Sequence, residues 1–170
     1  FRVMDSRILI EQFSAVGASA IAIAFGELYT ALQTGVVDGE ENPLDTISTM
    51  KFHEVQKYLV VSNHGAMEDV ILFNPTWWKG LPEGRRKIIT DAFIEVRPEV
   101  EKMKNEATEK ALEQIKATGR TEIRIMSEAE RKQFQAAMVP KALAAFIQRA
   151  PGEGQKAIEL YEAEKKRLGI

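Results

Sequence analysis

The 170 residues predict an α/β fold with helices lying on the faces of a sheet. Short β-branched runs alternate with amphipathic helical stretches through the first half. A single helical pattern of about 35 residues follows, some 50 Å long at roughly 1.5 Å per residue. A hydrophobic content of 45% is enough for one domain with a core, or a large piece of one, and argues against disorder.

The elements read in order as follows. "FRVMDS" places Phe1, Val3 and Met4 around a charged Arg2 and predicts a short strand running into a helix cap at Ser6. Ile8, Leu9, Phe13 and Val16 form the apolar stripe of the helix after it, and Gly17 stands where a left-handed residue closes it. "SAIAIAF" predicts a second strand, and "GELYTALQTG" a second helix with Leu28, Ala31 and Leu32 inward and Gly35 at its end. "VVDG" predicts a third strand ending at Gly39. A helix should follow from "NPLDTISTM", with Asn42 as its cap and Pro43 at its first position.

Tyr58 to Asn63 and Asp69 to Asn74 are β-branched and aromatic runs that predict two buried strands, separated by His64 to Glu68. Asn74 and Pro75 repeat the cap-and-proline device before a short helix carrying Trp77 and Trp78. From Pro82 to about Thr118, Ile88, Ala92, Phe93, Val96, Val100, Met103, Ala107, Ala111 and Ile115 recur at spacings of three and four. Pro98 is expected to kink this helix. "TEIRIM" alternates as a strand, Ser127 and Glu130 make a capping box for the next helix, Pro140 is expected to interrupt that helix, and "APGEG" precedes the last one.

Charge and composition narrow the chemistry. The net charge of −2 comes from 23 basic and 25 acidic residues without basic runs, so nucleic acid is not an expected partner. There is no cysteine, which excludes disulfides and thiolate chemistry and is compatible with a bacterial periplasm. No run reaches the roughly 18 to 20 apolar residues of a membrane span. Asp38, Glu40 and Glu41 lack the ligand spacing of a calcium loop, and His53 and His64 lack that of a zinc hydrolase. There is no phosphate loop, dinucleotide fingerprint or nucleophile elbow, so no metal or cofactor is expected. A Ser-His-Asp triad, or acid/base work by Asp38, Glu41 or His64, stays open. Arg2 in a strand is either an exposed edge residue or the planar fork of a carboxylate site. Asn42 is either only a cap or part of an anion site at a helix start.

"FRVMDS", "GELYTALQTGVVDGEENPL", "KFHEVQKYLVVSNHG" and "WWKGLPEGRRKII", in this order, resemble the substrate-binding proteins of tripartite ATP-independent periplasmic (TRAP) transporters, the DctP-like family. The motifs cover Phe1 to Asp91, and the remainder agrees in its helical pattern. The resemblance implies a periplasmic-binding-protein-like lobe with a long scaffolding helix, part of a two-lobe α/β fold that closes on an organic acid and delivers it to a membrane permease. It implies no bond chemistry. By position, Arg2 is the arginine that salt-bridges the substrate carboxylate, and Asn42 the asparagine that holds the same group. Phe25 is the aromatic that packs on the ligand, Asp5 a polar group reaching it, and His64 a residue near the site's water network.

In this reading residues 1–63 form the ligand-binding lobe, 64–81 a hinge and crossover strand, 82–118 the long helix, and 119–170 a strand with the C-terminal helices. Glu40 and Glu41 become first-turn acids, so Glu40→Ala should change affinity almost not at all. Family members carry a first lobe ahead of the "RV" strand, so the chain is expected to be a portion of a longer protein. The surfaces that such a lobe covers are expected to drive self-association or strand exchange in the isolated chain. C4-dicarboxylates and sugar acids are the expected ligands, and an extracytoplasmic ligand-sensing domain is the alternative to a transport receptor.

Overall fold

The computed structural model describes residues 1–67 and 69–169. Its helices and strands follow the order β1 (Arg2–Val3), α1 (Arg7–Ser14), β2 (Ile21–Ala22), α2 (Leu28–Gln33), α3 (Leu44–Thr49), β3 (Tyr58–Val61), α4 (Pro75–Gly80), α5 (Glu83–Ala117), β4 (Glu122–Ile125), α6 (Glu128–Arg149) and α7 (Glu153–Leu168). Single 3₁₀ turns at Phe25–Glu27 and Phe52–Glu54 join the helices to the strands. β1 pairs parallel to β2, and β3 parallel to β4, giving two small sheets.

Local signals set most of the helix ends. The Ser6 hydroxyl accepts from the Leu9 N–H, and the Asn74 side chain accepts from the N–H groups of Thr76 and Trp77 with Pro75 in the first turn. Ser127 and Glu130 exchange both bonds of a capping box. Gly35, at φ +73°, closes α2 in the left-handed region that glycine enters without steric cost.

Two groups of buried side chains hold these elements together. Leu28, Ala31, Leu32, Val37, Ile47, Phe52 and Ile115 bring α2 and α3 onto the end of α5. Val3, Phe13 and Met138 join β1 and α1 to α6, with Phe1 and Phe134 packed around them. Thr121 ties β4 inward by donating to the His53 carbonyl at 2.8 Å. α3 is also pinned to α5 by the Lys104–Asp45 ion pair at 2.5 Å.

Several expectations change. Pro140 does not interrupt α6, because Met138 and Ala145 on either side of it are buried and tertiary contact offsets the lost backbone bond. α5, for which a kink was expected at Pro98, runs from Glu83 to Ala117 with that proline inside it. "VVDG" is no strand: the isolated bridge to Arg2 forms just past it, at Glu40. Asp69 to Asn74 carry no strand either: among the described residues no strand pairs with them, and a ladder needs a partner for its backbone bonds. Val70 and Leu72 are 75% and 84% exposed. Glu68, assigned to the segment before this run, lies outside the described residues. Of the apolar stripe on α5 only Ala111 and Ile115 are buried, while Ile88, Phe93, Val96, Val100 and Met103 face outward.

Candidate carboxylate-binding site

Alternation along β1 sends successive side chains to opposite faces. Val3 goes into the core at 0% exposure, and Arg2 turns the other way. Arg2 is nevertheless 97% covered, at 3% exposure. Its backbone N–H donates to the Gly39 carbonyl at 2.8 Å, and its Nε donates to the Ile23 carbonyl at 3.0 Å. Among the described residues no carboxylate stands within ion-pair distance of its guanidinium. An enclosed guanidinium without a paired carboxylate is costly unless an anion completes it.

The guanidinium lines a cavity of about 700 Å³ together with Asp5, Phe25, Glu41, Asn42, Thr46 and Met67. Phe25 enters from the 3₁₀ turn after β2, 43% exposed, with its ring edge-on to Phe52 at 5.8 Å. The Arg2 guanidinium carbon lies 5.8 Å from the Phe25 ring centre. Asp5 reaches the cavity from the bend between β1 and α1. Four of the five residues named at sequence level, Arg2, Asp5, Phe25 and Asn42, therefore share one cavity.

His64 does not line that cavity. It sits in an adjoining cavity of about 920 Å³ that runs beneath β3 and α1. Asn63, at φ +49°, turns the chain at the end of β3 in the left-handed conformation that asparagine tolerates. His64 Nδ1 then meets the Ser62 hydroxyl at 2.7 Å, and Nε2 lies 3.5 Å from a Glu41 carboxylate oxygen. Because Glu41 lines both cavities, it links His64 to the Arg2 side.

Asn42 is not the cap of α3. The helix begins at Leu44 with Pro43 in the cap position and no side-chain capping bond. The Asn42 amide instead donates from Nδ2 to Glu40 Oε2 at 2.5 Å. Glu40 and Glu41 thus lie before the helix rather than in its first turn, which carries Asp45. Burial holds the Glu40 carboxyl above the ordinary range; the Asn42 bond opposes this, the Glu41 charge adds to it and the Arg2 charge opposes it. Among the described residues no three acidic or imidazole groups converge as a metal site.

Glu41, Thr46 and Met67 are cavity residues that sequence reasoning did not place there. Thr46 comes from the first turn of α3, and its place in the cavity follows from how that helix docks rather than from any spacing in the sequence. Met67 enters from the segment after β3 and had no signal either. The arrangement offers one cation, an amide and an aromatic face on one wall, with the acids Asp5 and Glu41 beside them. It can clamp a carboxylate and stack a flat or apolar group against Phe25.

Residues 1–149 match the family model described as bacterial extracellular solute-binding protein, family 7. The C4-dicarboxylate-binding periplasmic protein DctP of Rhodobacter capsulatus is 38% identical over 139 residues, which are 82% of this chain and 42% of that protein. A TRAP periplasmic solute-binding protein from Desulfovibrio salexigens, solved with bound orotic acid, superposes with a TM-score of 0.94 at 61% identity, covering 98% of this chain and 53% of that one. A second such protein, from Shewanella oneidensis with bound succinate, gives a TM-score of 0.82 at 33% identity, covering 92% and 51%. The chain spans about half the length of the proteins it matches.

Proposed function

The chain belongs to the family of bacterial extracellular solute-binding proteins, family 7, and on that premise we propose that it supplies the carboxylate-clamping part of a periplasmic receptor for a TRAP permease. The observation that carries this reading is the enclosed Arg2 guanidinium, facing a cavity with Asn42 and Phe25 and without a carboxylate partner among the described residues. A ligand carboxylate supplies the missing charge. Asn42 hydrogen-bonds the same group, Phe25 packs on the ligand body, and Asp5 and His64, through Glu41, order the polar surroundings.

Residues 1–63 then form the ligand-binding lobe, 64–81 the hinge and crossover, 82–118 the long helix, and 119–170 the closing strand and helices. The receptor performs no bond chemistry. Closure is favoured because the Arg2 pair is complete only in the closed, liganded state. Exposed Val70 to Phe73 and the outward face of α5 belong against the other lobe. Expressed as an isolated piece, the chain self-associates or exchanges strands through them, which sedimentation would detect.

Among organic acids, orotic acid is the first to test. It is a flat ring bearing one carboxylate, a shape that suits a guanidinium beside an aromatic face, and the protein at 61% identity holds it. Succinate and a sugar acid complete the panel. Calorimetric titration of the protein with these acids should give saturable binding of at least one. Failure of all three, under conditions where the protein is folded, would remove the assignment.

A further inference from the structure

We propose that Glu40 is a positioning residue of the carboxylate site, holding the Asn42 amide in register with the Arg2 guanidinium; this rests on the functional reading above. Three observations converge on it. The Asn42 side chain is not used to cap α3, and the Glu40 carboxylate at 2.5 Å is its one hydrogen-bond partner among the described residues. Glu40 is itself anchored to the arginine strand, through the bridge between Arg2 and Glu40 and the bond from the Arg2 N–H to the Gly39 carbonyl. Asn42 lies on the wall shared by both cavities, whereas Glu40 lines only the larger one behind it. The carboxylate therefore meets the amide without Glu40 itself lining the Arg2 cavity.

The chemistry of the amide makes this grip informative. An asparagine amide has two N–H donors on nitrogen and only acceptor capacity on oxygen, while an ionised carboxylate only accepts. When ionised, Glu40 can hold Asn42 only through its nitrogen, because the flipped amide would set oxygen against oxygen. One N–H is engaged and the amide plane is fixed, which leaves the second N–H to point in a defined direction. Without Glu40 the amide is free to flip and to turn its oxygen towards the ligand's carboxylate, which repels it. A glutamine at position 40 retains an acceptor oxygen at the same reach and can hold the same N–H.

The test titrates the protein with orotate in four variants: Glu40→Ala, Glu40→Gln, Asn42→Ala and the double Glu40→Ala/Asn42→Ala. In place of the negligible change that a first-turn acid would give, Glu40→Ala is expected to weaken binding roughly tenfold, the scale of one hydrogen bond of this kind, and Glu40→Gln to stay within about threefold of the unsubstituted protein. In the Asn42→Ala background, Glu40→Ala should cost nothing further. Unchanged affinity in Glu40→Ala, or an equal loss in both backgrounds, overturns the proposal. The ligand-free protein gives a second readout in the NMR resonances of the Asn42 side-chain amide. One of its two protons should be shifted downfield in the unsubstituted and Glu40→Gln proteins and lose that shift in Glu40→Ala. Absence of the shift in the unsubstituted protein also overturns the proposal. If that protein binds none of the acids, it is the functional reading that fails, and the amide spectrum still decides the Glu40 contact.

Discussion

Replacing Arg2 by alanine removes the one cation that, among the described residues, lines the carboxylate cavity. The site loses a charge-assisted pair made in an enclosed place, since Arg2 is only 3% exposed. Truncating one partner of such a pair costs about 2–5 kcal/mol. Taking about 3 kcal/mol, at about 1.4 kcal/mol per decade, affinity should fall roughly 150-fold. Folding should suffer far less. The lost bond from Nε to the Ile23 carbonyl is worth about 1 kcal/mol net, and removing an enclosed guanidinium offsets part of it. For a chain of this size about 1 kcal/mol is a melting shift of roughly 2–4 °C.

The assay is calorimetric titration with orotate beside a thermal melt of each variant. Arg2→Lys keeps the charge without the planar fork, so it should fall between the unsubstituted protein and Arg2→Ala. Arg167→Ala, in the last turn of α7 and paired at the surface with Glu164, removes the same charge elsewhere and should leave affinity unchanged. An Arg2→Ala protein that binds within about threefold of the unsubstituted one would refute the carboxylate pairing. So would an equal loss in Arg167→Ala, which would trace the effect to overall charge.

Other substitutions separate binding from stability. Phe25→Ala removes a half-exposed ring near Arg2 and Phe52 and should weaken binding by about 1 kcal/mol, roughly fivefold, in the same titration. Glu40→Gln should stabilise the protein at neutral pH. Because burial raises the Glu40 carboxyl in the folded state, its contribution is fully present below the ordinary glutamate range and is lost as pH rises through the raised value. The melting advantage of Glu40→Gln should therefore grow with pH across that window, and an advantage that shrinks there would contradict the shift. Ser127→Ala breaks the capping box at the start of α6 and should lower stability by about 1 kcal/mol with no effect on affinity. A thermal melt unchanged within error would mean that the cap carries nothing.

The local elements were legible in the sequence because their causes lie within a few residues. The 3.6-residue periodicity gave α5 within one residue at each end, and Ser6, Asn74 and Ser127 marked helix starts that the structure contains. Four ordered motifs were enough for the family. Proline misled where packing outweighed it, as at Pro140, which lies between buried Met138 and Ala145. Strands misled for the opposite reason. Val36 to Gly39 and Asp69 to Asn74 have strand-like composition, but a ladder needs a neighbouring chain, and composition says nothing of whether one is there.

The sequence by itself determined where the helices run, which family the motifs belong to, and which side chains could meet a carboxylate. Only the tertiary structure decided that Arg2 is enclosed rather than exposed at an edge, that Asn42 holds Glu40 instead of capping α3, and that His64 lies one cavity away behind Glu41. The difference is one of range. Caps and helical periodicity act over three or four positions, whereas Arg2 is set by the Ile23 carbonyl 21 positions on and by the bridge to Glu40. Such contacts form only when separate elements dock, and their geometry has no signature in either segment alone.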